Sequence, residues 1–160
     1  MLRPLLFLIV IVLSASCKTD AFAEPLPGAQ STQEYLGLLS NKKIAIVANQ
    51  TSVIRNASGT GYAHLVDSLV SLGVDIVKVF APEHGFRGQL DAGEKVEDQK
   101  DPKTELPIIS LYGKNKKPTG EQLTGIDLVV FDIQDVGARF YTYISTLHYI
   151  MEACAENEIS

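Results

Sequence analysis

Four short polar segments hold the residues that could do chemistry. They are Asn49-Gln50-Thr51-Ser52, Glu83-His84 with Arg87 between Gly85 and Gly88, Tyr112-Gly113, and the run from Asp132 through Gln134, Asp135, Arg139 and Tyr141 to Tyr143. Two carboxyl groups are the minimum for cleaving a glycosidic bond. One delivers a proton; the other acts as base, nucleophile or electrostatic support. Glu83 and Asp132 are the two this sequence offers. Desolvation beside Phe86 would raise the pKa of Glu83 and suit it to the acid role. Arg87 would pull the other way, or would pair with an anionic group of a substrate. Asn49, Gln50, Thr51, His84, Gln134, Asp135 and Arg139 suit a ligand rich in hydroxyls and amides. Tyr141, with Tyr143 near it, offers aromatic faces to a sugar ring. Each piece also has a plainer reading: turn chemistry at Asn49, a surface ion pair at Glu83 and Arg87, helix caps at Gln134 and Asp135, packing at the tyrosines.

Other chemistries find less support. The sequence has no G-x-S-x-G elbow, no Walker loop and no G-x-G-x-x-G; Gly59-Thr60-Gly61 stands alone. A metal site drawn from Glu83, His84, Asp132 and Asp135 lacks HxH or HExxH spacing, so no metal and no cofactor is assigned. With 14 Lys+Arg against 19 Asp+Glu, the chain has no surplus of cations for nucleic-acid phosphates. An apolar fraction of 46% excludes a disordered or fibrous chain, and two cysteines cannot make a disulfide scaffold.

The elements place these segments together. Lys43–Ala48, Val74–Phe80, Pro107–Leu111 and Leu128–Phe131 read as apolar strands. His64–Leu72 reads as a helix stopped by Gly73. Thr119 and Gln122 form a capping-box pattern, and Tyr141–Asn157 reads as a long helix with Ile144, Leu147, His148 and Met151 near one face. Strands alternating with helices predict an α/β fold, an open parallel sheet with helices on both faces. Ligands of such sheets bind beyond the carboxyl ends of the strands, where all four polar segments fall. Gly88 to Lys103 reads as a polar surface excursion or lid.

The amino terminus reads as an export signal: Arg3, then an apolar run from Leu5 to Leu13, too short to span a bilayer. Two processing sites compete. Ala21-Phe22-Ala23 would end a signal peptide at residue 23. Ser14-Ala15-Ser16-Cys17 is a loose lipobox, which would remove residues 1–16 and attach a lipid at Cys17. Either places the protein outside the cytoplasm, in the periplasm or anchored to the outer membrane, with the lipid as its one link to a membrane. Residues 24–38 read as a linker and 39–160 as the folded domain. Cys154 reads as a small buried hydrophobe in a helix.

Taken together, Asn49-Gln-Thr-Ser, Phe80-Ala-Pro-Glu-His-Gly-Phe-Arg-Gly88, Leu111-Tyr-Gly and above all Val130-Phe-Asp-Ile-Gln-Asp-Val-Gly-Ala-Arg-Phe-Tyr-Thr-Tyr143 resemble the exo-β-N-acetylmuramidases of the NamZ type, formerly a domain of unknown function. The likeness runs from about Leu39 to the end. It implies a Rossmann-like amino-terminal catalytic domain whose cleft is closed by a second domain. It also implies an exported hydrolase that releases N-acetylmuramic acid from the non-reducing ends of peptidoglycan fragments. Glu83 inherits the general-acid role from the Pro-Glu-His-Gly motif, and His84, Arg87, Asp132, Gln134 and Asp135 match cleft positions; by charge, Arg87 or Arg139 would pair with the lactyl carboxylate of muramic acid. Members of that family are longer, so the chain reads as an incomplete amino-terminal part. The alternative is a non-catalytic envelope domain that binds peptidoglycan fragments through the same cleft.

Overall fold

The computed structural model describes residues 26–56, 58–88 and 98–160. The expectations for the leader fall outside them. At the centre is β1 (Ile44–Ala48), apolar throughout and buried at every position. A strand with no polar face must be covered on both sides. Parallel β4 (Ile76–Ala81) and β7 (Leu128–Asp132) flank it. Beyond β4 lies parallel β6 (Pro107–Ser110), then the two-residue β5 (Gln99–Lys100), which runs antiparallel. The spatial order is β5-β6-β4-β1-β7. The sheet is therefore mostly parallel, with one antiparallel edge inside the stretch expected to be a surface excursion. A separate hairpin joins β2 (Val53–Arg55) to β3 (Tyr62–His64).

Side-chain alternation along β1 divides the core. Ile44, Ile46 and Ala48 pack with Leu39 of α1 (Thr32–Leu39) and with Leu65, Val66 and Leu69 of α2 (Leu65–Ser71). Ala45 and Val47 pack on the other side with Leu123 of α3 (Gly120–Leu123) and with Ile150, Ala153 and Cys154 of α4 (Tyr143–Glu156). The α/β fold with helices on both faces is thus present. Thr119 and Gln122 close a complete capping box at the start of α3.

Three details differ from the sequence reading. The stretch expected to be a linker contains α1, whose Leu39 is buried and whose Tyr35 and Leu36 pack on the core. The second helix starts at Leu65; His64 ends β3 and caps the helix by accepting from the Val66 N–H. The buried stripe of α4 is Tyr143, Thr146, Ile150, Ala153 and Cys154, while Ile144 and Met151 face outward. Small and polar residues on the buried stripe conceal it from a hydrophobicity count.

The chain steps from β1 through β4 to β6 on one side, then crosses to β7 on the other. The strand order therefore reverses between β1 and β7. In open α/β sheets that reversal leaves a crevice at the carboxyl ends of the two strands, where ligands bind.

Candidate functional site

Two loops meet at that crevice and are joined by hydrogen bonds. Asn49 follows β1, and its Oδ1 accepts from Thr51 N at 2.9 Å and Thr51 Oγ1 at 2.6 Å. This is a side-chain-closed turn, which asparagine favours. Ser52 Oγ accepts from Asn49 N at 3.1 Å and donates to the main-chain carbonyl of Asp132. Thr51 Oγ1 in turn accepts from Gln134 N at 2.9 Å. Asn49 and Ser52 are buried. Asn49 Nδ2 and Asp132 Oδ2 are also buried, and neither has a hydrogen-bond partner among the described residues. Leaving such an atom unpaired costs about 1–3 kcal/mol, so orphans at a ligand crevice point to function. Burial pushes the Asp132 carboxyl above its ordinary pKa.

Glu83 lies just beyond β4. His84 and Gly85 take left-handed backbone with φ of 70° and 75°, folding the chain sharply after Glu83. For His84 that conformation costs roughly 1–2 kcal/mol; strain of this kind gathers at working sites. Thr142, the residue before α4, makes no cap bond with its side chain. Its Oγ1 donates instead to Glu83 Oε2 at 3.3 Å. The phenol of Tyr112, just past β6, interacts with the Glu83 carboxylate, which holds the proton on it and raises its pKa. Tyr143 is 6% exposed. Burial raises its pKa, the Asn49 amide opposes that, and the charge of Glu83 adds to it. Beside this group opens a cavity of about 160 Å³ lined by Leu111, Tyr112, Lys116, Thr142, Ser145, Thr146 and Tyr149.

The two carboxyl groups share a rim but reach it differently. Asp132 continues the side of β7 that carries Leu128 and Val130, towards α1 and α2. Glu83 meets the start of α4, which covers the other face. A larger hollow, about 700 Å³, lies at the amino-terminal edge of the sheet beside Lys43, Asp75 and Asp127. It is on the wrong side of the strands for the usual ligand position.

Arg87 has a different employment from the one expected. Its Nε and Nη2 each donate to Asp101 at 2.6 Å, and Nη2 and Nη1 reach Asp67 at 2.8 and 3.3 Å. Lys103 also pairs with Asp67, at 2.7 Å. The expectation that Arg87 meets a substrate anion gives way to a clasp binding its loop to α2 and to the turn at Asp101. The hydrogen bonds from Arg87 hold the Asp101 carboxyl down to about 2. The Arg87 guanidinium also lies 4.7 Å from the centre of the Phe86 ring, which meets the His64 ring edge-on. His64 Nε2 is 2.9 Å from the Asn49 carbonyl, and its Nδ1 accepts from Val66 N. These contacts require the proton on Nε2 of a neutral ring. Burial lowers its pKa and favours that form. Phe86 is thus turned into the core and towards His64.

The family model described as "Exo-beta-N-acetylmuramidase NamZ, N-terminal" matches residues 44–160. The chain belongs to the NamZ family. It is 45% identical over 127 residues to the peptidoglycan β-N-acetylmuramidase NamZ of Bacillus subtilis, covering 79% of this chain and 30% of that protein. Two solved structures of DUF1343 family proteins from Bacteroides fragilis match with a TM-score of 0.68 each. They are 38% and 39% identical, covering 81% and 83% of this chain and 31% and 32% of theirs. The chain therefore spans about a third of the length of these relatives.

Within this NamZ-family domain the expected site residues separate into groups. Asn49, Thr51 and Gln134 build the joined loops, with their side-chain oxygens or main chain engaged there. Gln134 Nε2 and the Asp135 carboxylate bond within their own loop, to Asp135 O and from Gly137 N, both at 2.9 Å. Gln50 lies against Gly88, where an added Cβ would come within 2.9 Å of Gln50 Cβ. Arg139 and Tyr141 are exposed on the loop after β7, with the Tyr141 ring 6.4 Å from that of Tyr143. Sequence reasoning placed Ser52, Tyr112 and Thr142 in the four strand-end segments without giving them a role, and it left out His64. Nothing local marks Asp67 and Asp101 as partners of Arg87.

Proposed function

We propose that the protein carrying this chain is an exported, exo-acting glycoside hydrolase that releases N-acetylmuramic acid from the non-reducing ends of peptidoglycan fragments. Its kinship with the Bacillus subtilis muramidase over 127 residues supports this reading. The observation that carries it is the setting of Glu83: a half-buried carboxyl just beyond β4, accepting from Thr142, which also lines a cavity with Tyr112. Glu83 acts as general acid, protonating the glycosidic oxygen as the bond to the sugar breaks. Asp132 is the second carboxyl of the rim. Burial raises its pKa. The joined loops of β1 and β7 form the fixed floor beneath the sugar.

Glu83→Gln keeps the shape and the Thr142 contact but has no proton to give. It should lower release of N-acetylmuramic acid from a chromogenic glycoside by roughly 10²–10⁴-fold while saccharide binding survives. Near-normal turnover by this variant, or binding without turnover by the unsubstituted protein, overturns the proposal. Mass spectrometry of the mature amino terminus tests export: a lipid-modified Cys17 and a free Glu24 are the two forms the leader permits.

A further inference from the structure

The cavity beside Glu83 has a composition that the cleavage step does not require. Thr142, which donates to Glu83, forms part of its wall, as does Tyr112, whose phenol the Glu83 carboxylate holds protonated. Whatever fills it therefore lies next to the bond being broken. Its volume of about 160 Å³ is of the size that holds one small ring or a branched substituent. The lining is mixed. Leu111, 3% exposed and packed in the core, only backs the cavity. Tyr112, Ser145 and Tyr149 add hydroxyls, and Lys116 is its one cation. Lys116 makes no ion pair with a described residue, whereas the adjacent Lys117 is held by Glu152 and Glu156 at 3.1 and 2.7 Å. Arg87, the cation first expected to meet a substrate anion, is committed to Asp67 and Asp101.

We propose that this cavity is a specificity subsite for a short, carboxylate-bearing ether on the sugar, with Lys116 as its cationic contact and the hydroxyls of Tyr112, Ser145 and Tyr149 around it. This deepens the glycosidase reading and rests on it for the placement of the sugar. An ammonium facing a carboxylate in a half-enclosed, hydroxyl-lined space gives a charge-assisted contact that neutral analogues cannot match. The subsite would distinguish N-acetylmuramic acid from N-acetylglucosamine, which is the same ring without the acid.

Calorimetry on the complete protein, made with Glu83→Gln so that nothing turns over, tests it with three probes. These are N-acetylmuramic acid, its lactyl methyl ester and N-acetylglucosamine. The acid should bind roughly tenfold more tightly than the other two. Lys116→Gln should erase that advantage and leave N-acetylglucosamine binding unchanged; Arg139→Gln should preserve it. Equal weakening of all three by Lys116→Gln, an undiminished preference, or a preference that vanishes with Arg139→Gln overturns the subsite. Hydrolysis by the unsubstituted protein is read separately. Turnover without a carboxylate preference sinks the subsite alone. A Lys116-dependent preference without turnover sinks the glycosidase alone. Absence of any saccharide binding sinks both.

Discussion

Replacing Arg87 by Met keeps much of the side chain's bulk and removes every donor of the clasp. Asp101, its side chain 1% exposed, then loses two hydrogen bonds of 2.6 Å and keeps only those from Thr104, at 3.0 Å from N and 2.6 Å from Oγ1. The depression of its pKa from 3.8 to about 2, due first to Arg87, corresponds to roughly 2 kcal/mol of native-state stabilisation. Deleting one partner of a buried pair costs about 3–5 kcal/mol where nothing replaces it. Asp67 retains Lys103, so its share is small. The expected loss at pH 7 is therefore roughly 2–4 kcal/mol, read by urea denaturation. Its pH dependence has a definite sign. A carboxyl whose folded pKa lies below its unfolded value stabilises above the unfolded value, and that contribution fades as pH falls through the folded one. The gap between wild type and Arg87→Met should thus close on acidification from about pH 5 towards about pH 2. A loss below about 1 kcal/mol at pH 7, or a gap that stays constant with pH, refutes the clasp.

Two further substitutions probe the crevice. Asp132 is the opposite electrostatic case: its folded pKa is raised, so the native state binds more protons and stability falls as pH rises through that window. Asp132→Asn should raise Tm at pH 7, with the gain vanishing below the ordinary aspartate range; a lower Tm at pH 7 contradicts the burial account. Gly88→Ala places a Cβ 2.9 Å from Gln50 Cβ on a backbone with φ of 67°. It should cost roughly 1–2 kcal/mol or more from the backbone alone, and unchanged stability in denaturant would show that the loop relaxes freely.

The main strands were legible because each is an apolar run ended by a polar residue, and the strand-end rule then located Glu83, Asp132 and the Asn49 turn. The hairpin of β2 and β3 was not, because each strand has three residues and alternation needs more. The buried stripe of α4 was hidden by Thr146 and Ala153, which say nothing of burial by their type, while Ile144 and Met151 on the outer side imitate a core. Arg87 was the instructive error. Its charge was visible, but its partners come from α2 and from the turn after β5, 20 and 14 residues away, and only folding brings them within reach. A separation of 59 residues likewise kept Thr142 from being linked to Glu83 until the helix start and the β4 loop were seen together.

The seam that Ser52 and Thr51 sew between the first and last strands has a bearing on how the pocket could change over time. Widening it would break bonds on both sides at once, so that side of the crevice is poorly suited to change. The cavity beside Thr142 borrows its shape from side chains at Tyr112, Lys116 and Ser145. New preferences among ligands of the proposed site should therefore arise by exchange there, with the stitched turn kept as a constant anvil.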